Sequence, residues 1–318
     1  MTDNYKTIPN VDTSSDLEHI SHLQKVFASG EFAITAEIGP PRGADASHVE
    51  KSAGALRGIV HAANVTDNQT AIVRMSSIAA AYVGKMCGVE TIVQMTCRDR
   101  NRIAIQSDLL GAYALGLRNL LCLSGDHQSF GDHPQSKNVY DLDSIQLIKM
   151  VHDMKSRGVF VNGKKGKHMP KFFIGTTINP FADPEELQLV RLRKKINAGA
   201  QFVQTQAVYD IDRFEKWMEK VRRLGIHKEI YIQAGILVNK SLRSMEMTRK
   251  VSGMSIPDNL VERMAKAEDA QEEGIKIALE LIERLCKIEG LSGIHIMAVG
   301  WEKIVPTIVQ RAGLLSPV

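Results

Sequence analysis

Three polar residues stand at the ends of apolar runs, where a side chain can be exposed to a ligand yet rigidly held. They are Glu37 in AITAEIGPP, Asp126 in NLLCLSGD and Gln206 in FVQTQAVYD. A carboxylate on an otherwise apolar strand, such as Glu37, suits a general acid or base, because partial burial tunes its proton affinity. The plain alternative is an ion pair with Arg42 or a neighbouring lysine. Asp126 follows Ser124 and Gly125, and a glycine lets a flat ligand approach the backbone closely. A turn cap is the plain alternative. Gln206 both donates and accepts, which matches a heterocycle edge with paired donors and acceptors. Otherwise it is a buried amide bonded to a neighbouring strand.

These residues need elements that bring distant segments together. Apolar runs near 33–38, 59–65, 90–96, 119–124, 171–177, 201–206, 229–236 and 293–299 read as eight strands. Helical patterns follow them near 47–56, 76–86, 102–115, 143–157, 184–198, 211–224, 242–251, a long stretch over 258–288, and 302–312. Near-continuous apolar strands alternating with helices are expected for parallel strands covered on both faces. The turn after strand one is EIGPPRG, a poor phosphate cradle, and neither GxGxxG nor a Walker loop occurs, which disfavours a doubly wound sheet. The expected fold is α/β, a (β/α)8 TIM barrel over residues 31–318 as a single domain, preceded by an N-terminal arm over 1–30 with a short helix near 15–27. In such a barrel all strand C-termini open on one face, and that face carries the chemistry. The 19-residue loop GDHQSFGDHPQSKNVYDLD starts there and reads as functional.

Composition narrows the function. With 44% hydrophobic and 24% charged residues, the chain of 318 residues can bury a large core. Forty basic against 36 acidic residues, a net charge of +4, carry no nucleic-acid footprint. No run is long enough for a membrane span, and the polar N-terminus lacks a signal-peptide core, so a cytoplasmic location is expected. Cys87, Cys97, Cys122 and Cys286 form no CxxC pair and read as free thiols. The ten histidines show no HExxH spacing, and His127 and His133 read as members of a polar loop, so no metal is expected.

Taken in order, TAEIGPP, NVTDN, TCRDRNR, LSGD, RKKINAGAQFVQTQAVYD and AGILV resemble the methylenetetrahydrofolate reductase family, over about residues 32–314. The resemblance implies a barrel holding a flavin, FAD or FMN, and hydride transfer from its N5 that converts 5,10-methylenetetrahydrofolate to 5-methyltetrahydrofolate. It implies Glu37 as general acid for opening the folate ring to its 5-iminium cation, Asp126 as stabiliser of that cation, and Gln206 as pterin anchor. Asp126 is implied to sit near both flavin and pterin, Thr66, Gly125, Tyr140 and Asp141 to line the flavin, and Arg191 and Lys195 to meet its phosphate and nucleotide end. Five positions depart from the common bacterial pattern. Gln94 stands for histidine, Ser124 for arginine and Asn179 for tyrosine in the flavin site. Leu242 stands for an aromatic residue and Trp301 for arginine in the substrate site. These departures make FMN an alternative to FAD and weaken direct use of NAD(P)H. They point to the branch of acetogens, whose members work with a zinc-binding partner subunit or a larger electron-transfer complex. An oligomer is expected. Two other readings are a flavin-free folate-binding methyltransferase and a flavin-relaying subunit of such a complex.

Overall fold

A computed structural model describes residues 20–251 and 253–314. Eight parallel strands close into a barrel in chain order, with β1 (Ala33–Ile38) hydrogen-bonded to both β2 (Ala62–Val65) and β8 (Gly293–Met297). Between them run β3 (Thr91–Thr96), β4 (Asn119–Leu123), β5 (Phe173–Ile178), β6 (Phe202–Ala207) and β7 (Tyr231–Leu237). The outer ring comprises α2 (Ser47–Leu56), α3 (Ser77–Met86), α4 (Arg102–Ala114), α5 (Ser144–Ser156), α6 (Glu185–Ala198), α7 (Ile211–Arg223), α8 (Leu242–Arg249), α9 (Asp258–Lys266), α10 (Ala270–Leu285) and α11 (Val305–Arg311). The expected (β/α)8 barrel is therefore the observed one. No described helix is long and apolar enough to cross a membrane.

The element α1 (His22–Ala28) precedes β1, and residues 1–19 of the expected arm lie outside the described residues. This short helix closes the N-terminal end of the barrel. Leu23, Val26 and Phe27 are buried against Ala33, Ala62, Ile92, Leu121, Phe173, Phe202 and Tyr231, one inward residue from each of seven strands. The Phe27 ring stacks on Tyr231 at 4.7 Å, and Phe173 stacks on Phe202 at 4.9 Å. The carboxylate of Glu90 accepts the first free amides of α1, from His22 (2.8 Å) and Leu23 (2.7 Å). Those amides have no intrahelical partner and carry the positive end of the helix, so an anion there both satisfies and orients it.

Three differences from the sequence reading have evident physical causes. The long helix over 258–288 is two helices. Ala267 is extended (ψ 132°), and Asp269 caps α10 by accepting from Gln271 and Glu272 amides. An apolar periodicity runs through this break, because both helices bury apolar residues in the same main cluster. Strand two begins at Ala62, since Ile59 and Val60 amides bond back to Leu56 and finish the α2 turn. The last helix opens as a single 3-10 turn, Glu302–Ile304, before α11.

Candidate active site

At the C-terminal face of the barrel lies a cavity of about 380 Å³. The loop after β2, the ends of β3 to β6 and the inner side of α6 line it. Asp126, Gln206, Gln94, Ser124, Gly125, Asn179, Arg191 and Lys195 all belong to the lining. Glu37, Thr66, Tyr140, Asp141, Leu242 and Trp301 lie outside it.

Asp126 is held from both sides. Its Oδ2 accepts the Thr70 amide at 2.9 Å, and its carbonyl accepts Arg98 Nη1 at 3.1 Å. Arg98 also donates to the Asn68 carbonyl (3.2 Å) and clasps Asp99 (2.6 and 2.8 Å), so one buried guanidinium ties the β2 and β4 loops together. The β2 loop stores strain, with Asn68, Thr70 and Ala71 at φ 46°, 56° and 55°. Left-handed backbone is costly for a β-branched residue and persists only where the surroundings enforce it. Here the enforcing contacts also aim an amide at Asp126. Beside it, Gly125 adopts φ +87°, and a Cβ there would sit 3.0 Å from Thr96 Cβ and 3.2 Å from Arg98 Cβ. The glycine is required both for its conformation and for its space.

Beneath the strained loop, Asp67 is buried and accepts from Thr96 N and Oγ1 (2.9 Å each) and from Arg100 (2.7 and 3.2 Å). Reading the sequence residue by residue did not single out Asp67, Arg98 or Arg100. The signal was the density of charge in TDN and CRDRNR immediately after two apolar strands.

The helix α6 presents Gln188, Arg191 and Lys195 to the cavity, residues three and four apart on one face. Lys195 is buried and donates to the Thr177 carbonyl at 2.6 Å. Burial, with Arg191 close by, lowers its ammonium pKa to about 8. An anion placed between the two cations would reverse that shift.

Glu37 stands at the same mouth on β1, beside β2 and outside the cavity lining. The strand pleat puts it on the inward side of β1 with Thr35, one step nearer the C-terminal face. Arg42, its supposed partner, pairs with Asp132 instead. Among the described residues the one ion-pair contact of Glu37 is to His295, with Oε2 3.9 Å from Nε2. Gln206 lies where β6 and β7 slip register between Gln204 and Ala207. Bulges of this kind re-aim side chains beside active sites, and here Thr205 joins Gln206 in the cavity lining while Thr205 Oγ1 accepts the Gly235 amide at 3.0 Å.

Most of the other expected site residues have evident structural partners. Asp141 caps α4, accepting the Arg102 amide (2.9 Å) and forming a two-pronged pair with its guanidinium (2.8 Å each), which lowers its pKa to about 2. Tyr140, at φ +40°, reaches the Gly125 carbonyl (3.4 Å). The Asn179 amide donates to Gly253 (3.1 Å) and accepts from Phe181 (2.9 Å). Trp301 is buried in the main apolar cluster, and Leu242 packs against that cluster at the start of α8. Thr66 is buried, and its hydroxyl has no hydrogen-bond partner among the described residues; the same holds for Gln69 Oε1, whose residue lines the cavity. His127 and His133 bond to Ser129 and Asp132 in the loop.

This donor set suits a flat ligand with an anionic tail. It combines a glycine cradle, an unpartnered buried oxygen at Gln69, and paired cations on α6.

Comparison with known proteins gives a consistent result. The profile of the family described as methylenetetrahydrofolate reductase matches residues 22–313. Methylenetetrahydrofolate reductase 1 of Schizosaccharomyces pombe is 29% identical over 233 residues, covering 72% of this chain and 36% of the relative. The probable methylenetetrahydrofolate reductase (NADPH) of Caenorhabditis elegans is 28% identical over 255 residues, covering 78% and 36%. The 5,10-methylenetetrahydrofolate reductase of Pectobacterium carotovorum is 24% identical over 217 residues, covering 65% and 64%. The chain thus spans little more than a third of the length of the first two relatives. Among solved structures, an uncharacterized protein from Clostridium thermocellum, described as binding two copies of 5-methyl-5,6,7,8-tetrahydrofolic acid, superposes with TM-score 0.63 at 15% identity, covering 89% of this chain and 95% of that one. At that identity the likeness concerns the fold.

Proposed function

Because the chain belongs to the methylenetetrahydrofolate reductase family, we propose that it reduces 5,10-methylenetetrahydrofolate to 5-methyltetrahydrofolate with a bound flavin. The observation that carries the proposal is the joint placement of Asp126, Gln206 and the α6 cations in one cavity, with Glu37 at the same mouth. When bound, the flavin supplies the hydride that the one-carbon unit accepts. The residues of this chain supply the rest. Glu37 donates a proton to the folate nitrogen released on ring opening, so that one hydride and one proton together convert methylene to methyl. Asp126, fixed by Thr70 and Arg98, places negative charge where the cationic intermediate develops. Charge of the right sign that is already oriented needs no reorganisation during the reaction. Gln206 meets the paired donors and acceptors of the pterin edge. Gly125 would line the isoalloxazine ring of a bound flavin, and Arg191 and Lys195 would hold its phosphate. FMN satisfies that cation pair as well as FAD does. A nicotinamide donor is proposed by analogy with the NADPH of the C. elegans relative's name.

The test is an absorbance spectrum of the purified protein, mass identification of the released cofactor, and turnover of methylenetetrahydrofolate with NADH, NADPH or a chemical reductant. The expected result is a yellow protein that bleaches on reduction and forms 5-methyltetrahydrofolate. A colourless protein that neither FAD nor FMN reconstitutes contradicts the proposal. Turnover with the chemical reductant alone would assign the electron supply to a separate protein.

The α6 cations yield a second expectation. Lys195→Gln removes a charge-assisted contact of about 1.5–3 kcal/mol, so flavin phosphate affinity falls by roughly tenfold or more. In the unmodified protein the ammonium is present below about pH 8 and is lost above it. Affinity for the flavin therefore weakens from pH 7 to pH 9, measured by equilibrium titration. Bound phosphate raises the Lys195 pKa and moves the midpoint upward. A flat profile, or an unaffected Lys195→Gln variant, removes Lys195 from the phosphate site.

A further inference from the structure

Directly beneath Glu37 the barrel interior carries a layer of polar side chains, one from each of five strands. Thr35, Asn64, Gln204, Gln233 and His295 are each between 0% and 3% exposed. Barrel interiors of this kind are ordinarily filled by branched apolar residues, and each buried polar group costs free energy unless it is satisfied. These groups satisfy one another. Asn64 Nδ2 donates to Gln204 Oε1 (2.7 Å), and Gln204 Nε2 donates to Gln233 Oε1 (3.1 Å). Gln233 Nε2 donates to Thr35 Oγ1 (3.2 Å), and Thr35 Oγ1 lies 3.0 Å from His295 Nδ1.

The layer is thus a closed device whose last member is an imidazole. Its Nδ1 edge is fixed by Thr35. Its Nε2 edge lies 3.5 Å from Asn64 Nδ2 and 3.9 Å from Glu37 Oε2. Among the described residues Glu37 makes no other ion pair and no side-chain hydrogen bond. A glutamate carboxyl rotates broadly about its last torsion, so a free Glu37 would present its proton in many directions. An imidazole nitrogen beside Oε2 leaves Oε1 for a substrate.

We propose that His295 is a positioning residue for Glu37, and that the amide layer serves to hold its ring so that Nε2 faces that carboxyl. The inference rests on the reading of Glu37 as general acid. It adds an element that the acid needs, located on the other side of the strand β1–β8 seam.

Two near-isosteres separate this role from simple packing. The amide of His295→Asn reaches the Nδ1 position and keeps the Thr35 contact, but nothing then faces Glu37. The amide of His295→Gln reaches the Nε2 position. His295→Asn is expected to lower kcat about tenfold or more, with the folate KM within about twofold, and His295→Gln to recover most of that loss. In a Glu37→Gln background, His295→Asn should cost less than about twofold further, since residues acting as a unit are not additive. Equal losses in the two variants, or an undiminished cost in the Glu37→Gln background, overturn the inference. So does a larger loss in His295→Gln. A further measurement avoids substitution at His295 altogether. The imidazole nitrogen resonances of His295 are compared between the unmodified holoenzyme and Glu37→Gln. A shift at Nε2 is expected, and unchanged resonances overturn the inference even where a His295 variant fails to fold. Should Glu37→Gln leave turnover intact, the general-acid reading fails, while the resonance shift still reports whether His295 faces Glu37.

Discussion

Replacing Glu37 by glutamine is expected to lower methylenetetrahydrofolate turnover by at least about 100-fold, the lower range for loss of a positioned general acid. The substitution preserves volume and hydrogen-bonding capacity but cannot release a proton at the required step. Its structural cost should be small. Glu37 takes no part in the hydrogen bonds of the amide layer, and its one ion-pair contact is 3.9 Å long. Glu37 is not among the residues that line the cavity in which the flavin is proposed to bind. Flavin affinity and melting temperature should therefore remain those of the unmodified protein, while kcat falls and the folate KM changes little. Stopped-flow reoxidation of the reduced protein by methylenetetrahydrofolate isolates the affected half-reaction. Retention of more than about a tenth of the turnover would remove Glu37 from the acid role. Loss of flavin binding together with activity would instead make Glu37 a structural residue.

The second large effect lies at the opposite end of the barrel. Phe27→Ala is expected to destabilise the fold by about 3–5 kcal/mol, the usual range for emptying an aromatic site in a packed core. Phe27 is 1% exposed and lies within 6.1 Å, centroid to centroid, of the rings of Tyr231, Phe173 and Phe202. Those rings come from three strands, so the cavity left by truncation cannot close by moving one of them. For a domain of this size the loss corresponds to roughly 10 °C in melting temperature. Phe27→Leu, which keeps most of the buried apolar area, should cost markedly less. Because the floor is separated from the mouth by the amide layer, turnover well below the new melting temperature should be nearly unchanged. A loss under about 1 kcal/mol would show that α1 rests on the barrel without contributing to it.

Much of this architecture was legible from local pattern. Each strand is an apolar run ended by a polar or glycine-rich turn, each described helix has buried residues on one side, and several, such as α4, α5 and α10, carry a side-chain cap at their start. Such signals act within a few residues, which is why strands such as 33–38, and helices such as 47–56, match the expectation to the residue. Boundaries failed where a tertiary contact competed with the local pattern. The expected helix near residues 258–288 breaks at Ala267, where Asp269 offers a better cap for the next segment. The 3.6-residue periodicity cannot report that break, because both halves bury the same kind of face.

The site divides in the same way. That Glu37, Asp126 and Gln206 occupy strand C-termini follows from their places in their own runs, and closure of eight parallel strands brings all such ends to one face. Which arc of that face each occupies depends on strand order and register, quantities that no segment carries alone. Local pattern in the sequence was enough for the barrel and for the residue types gathered at its C-terminal face. Only the tertiary structure decided that Asp141 serves as a helix cap, that Trp301 lies in the apolar core, that a bulge presents Thr205 beside Gln206, and that five polar residues from five strands meet in one layer under Glu37. The reason is physical. Hydrogen bonds and ion pairs act between atoms a few ångströms apart, and in this chain the deciding pairs, such as Thr35 with His295, are 260 residues apart in sequence.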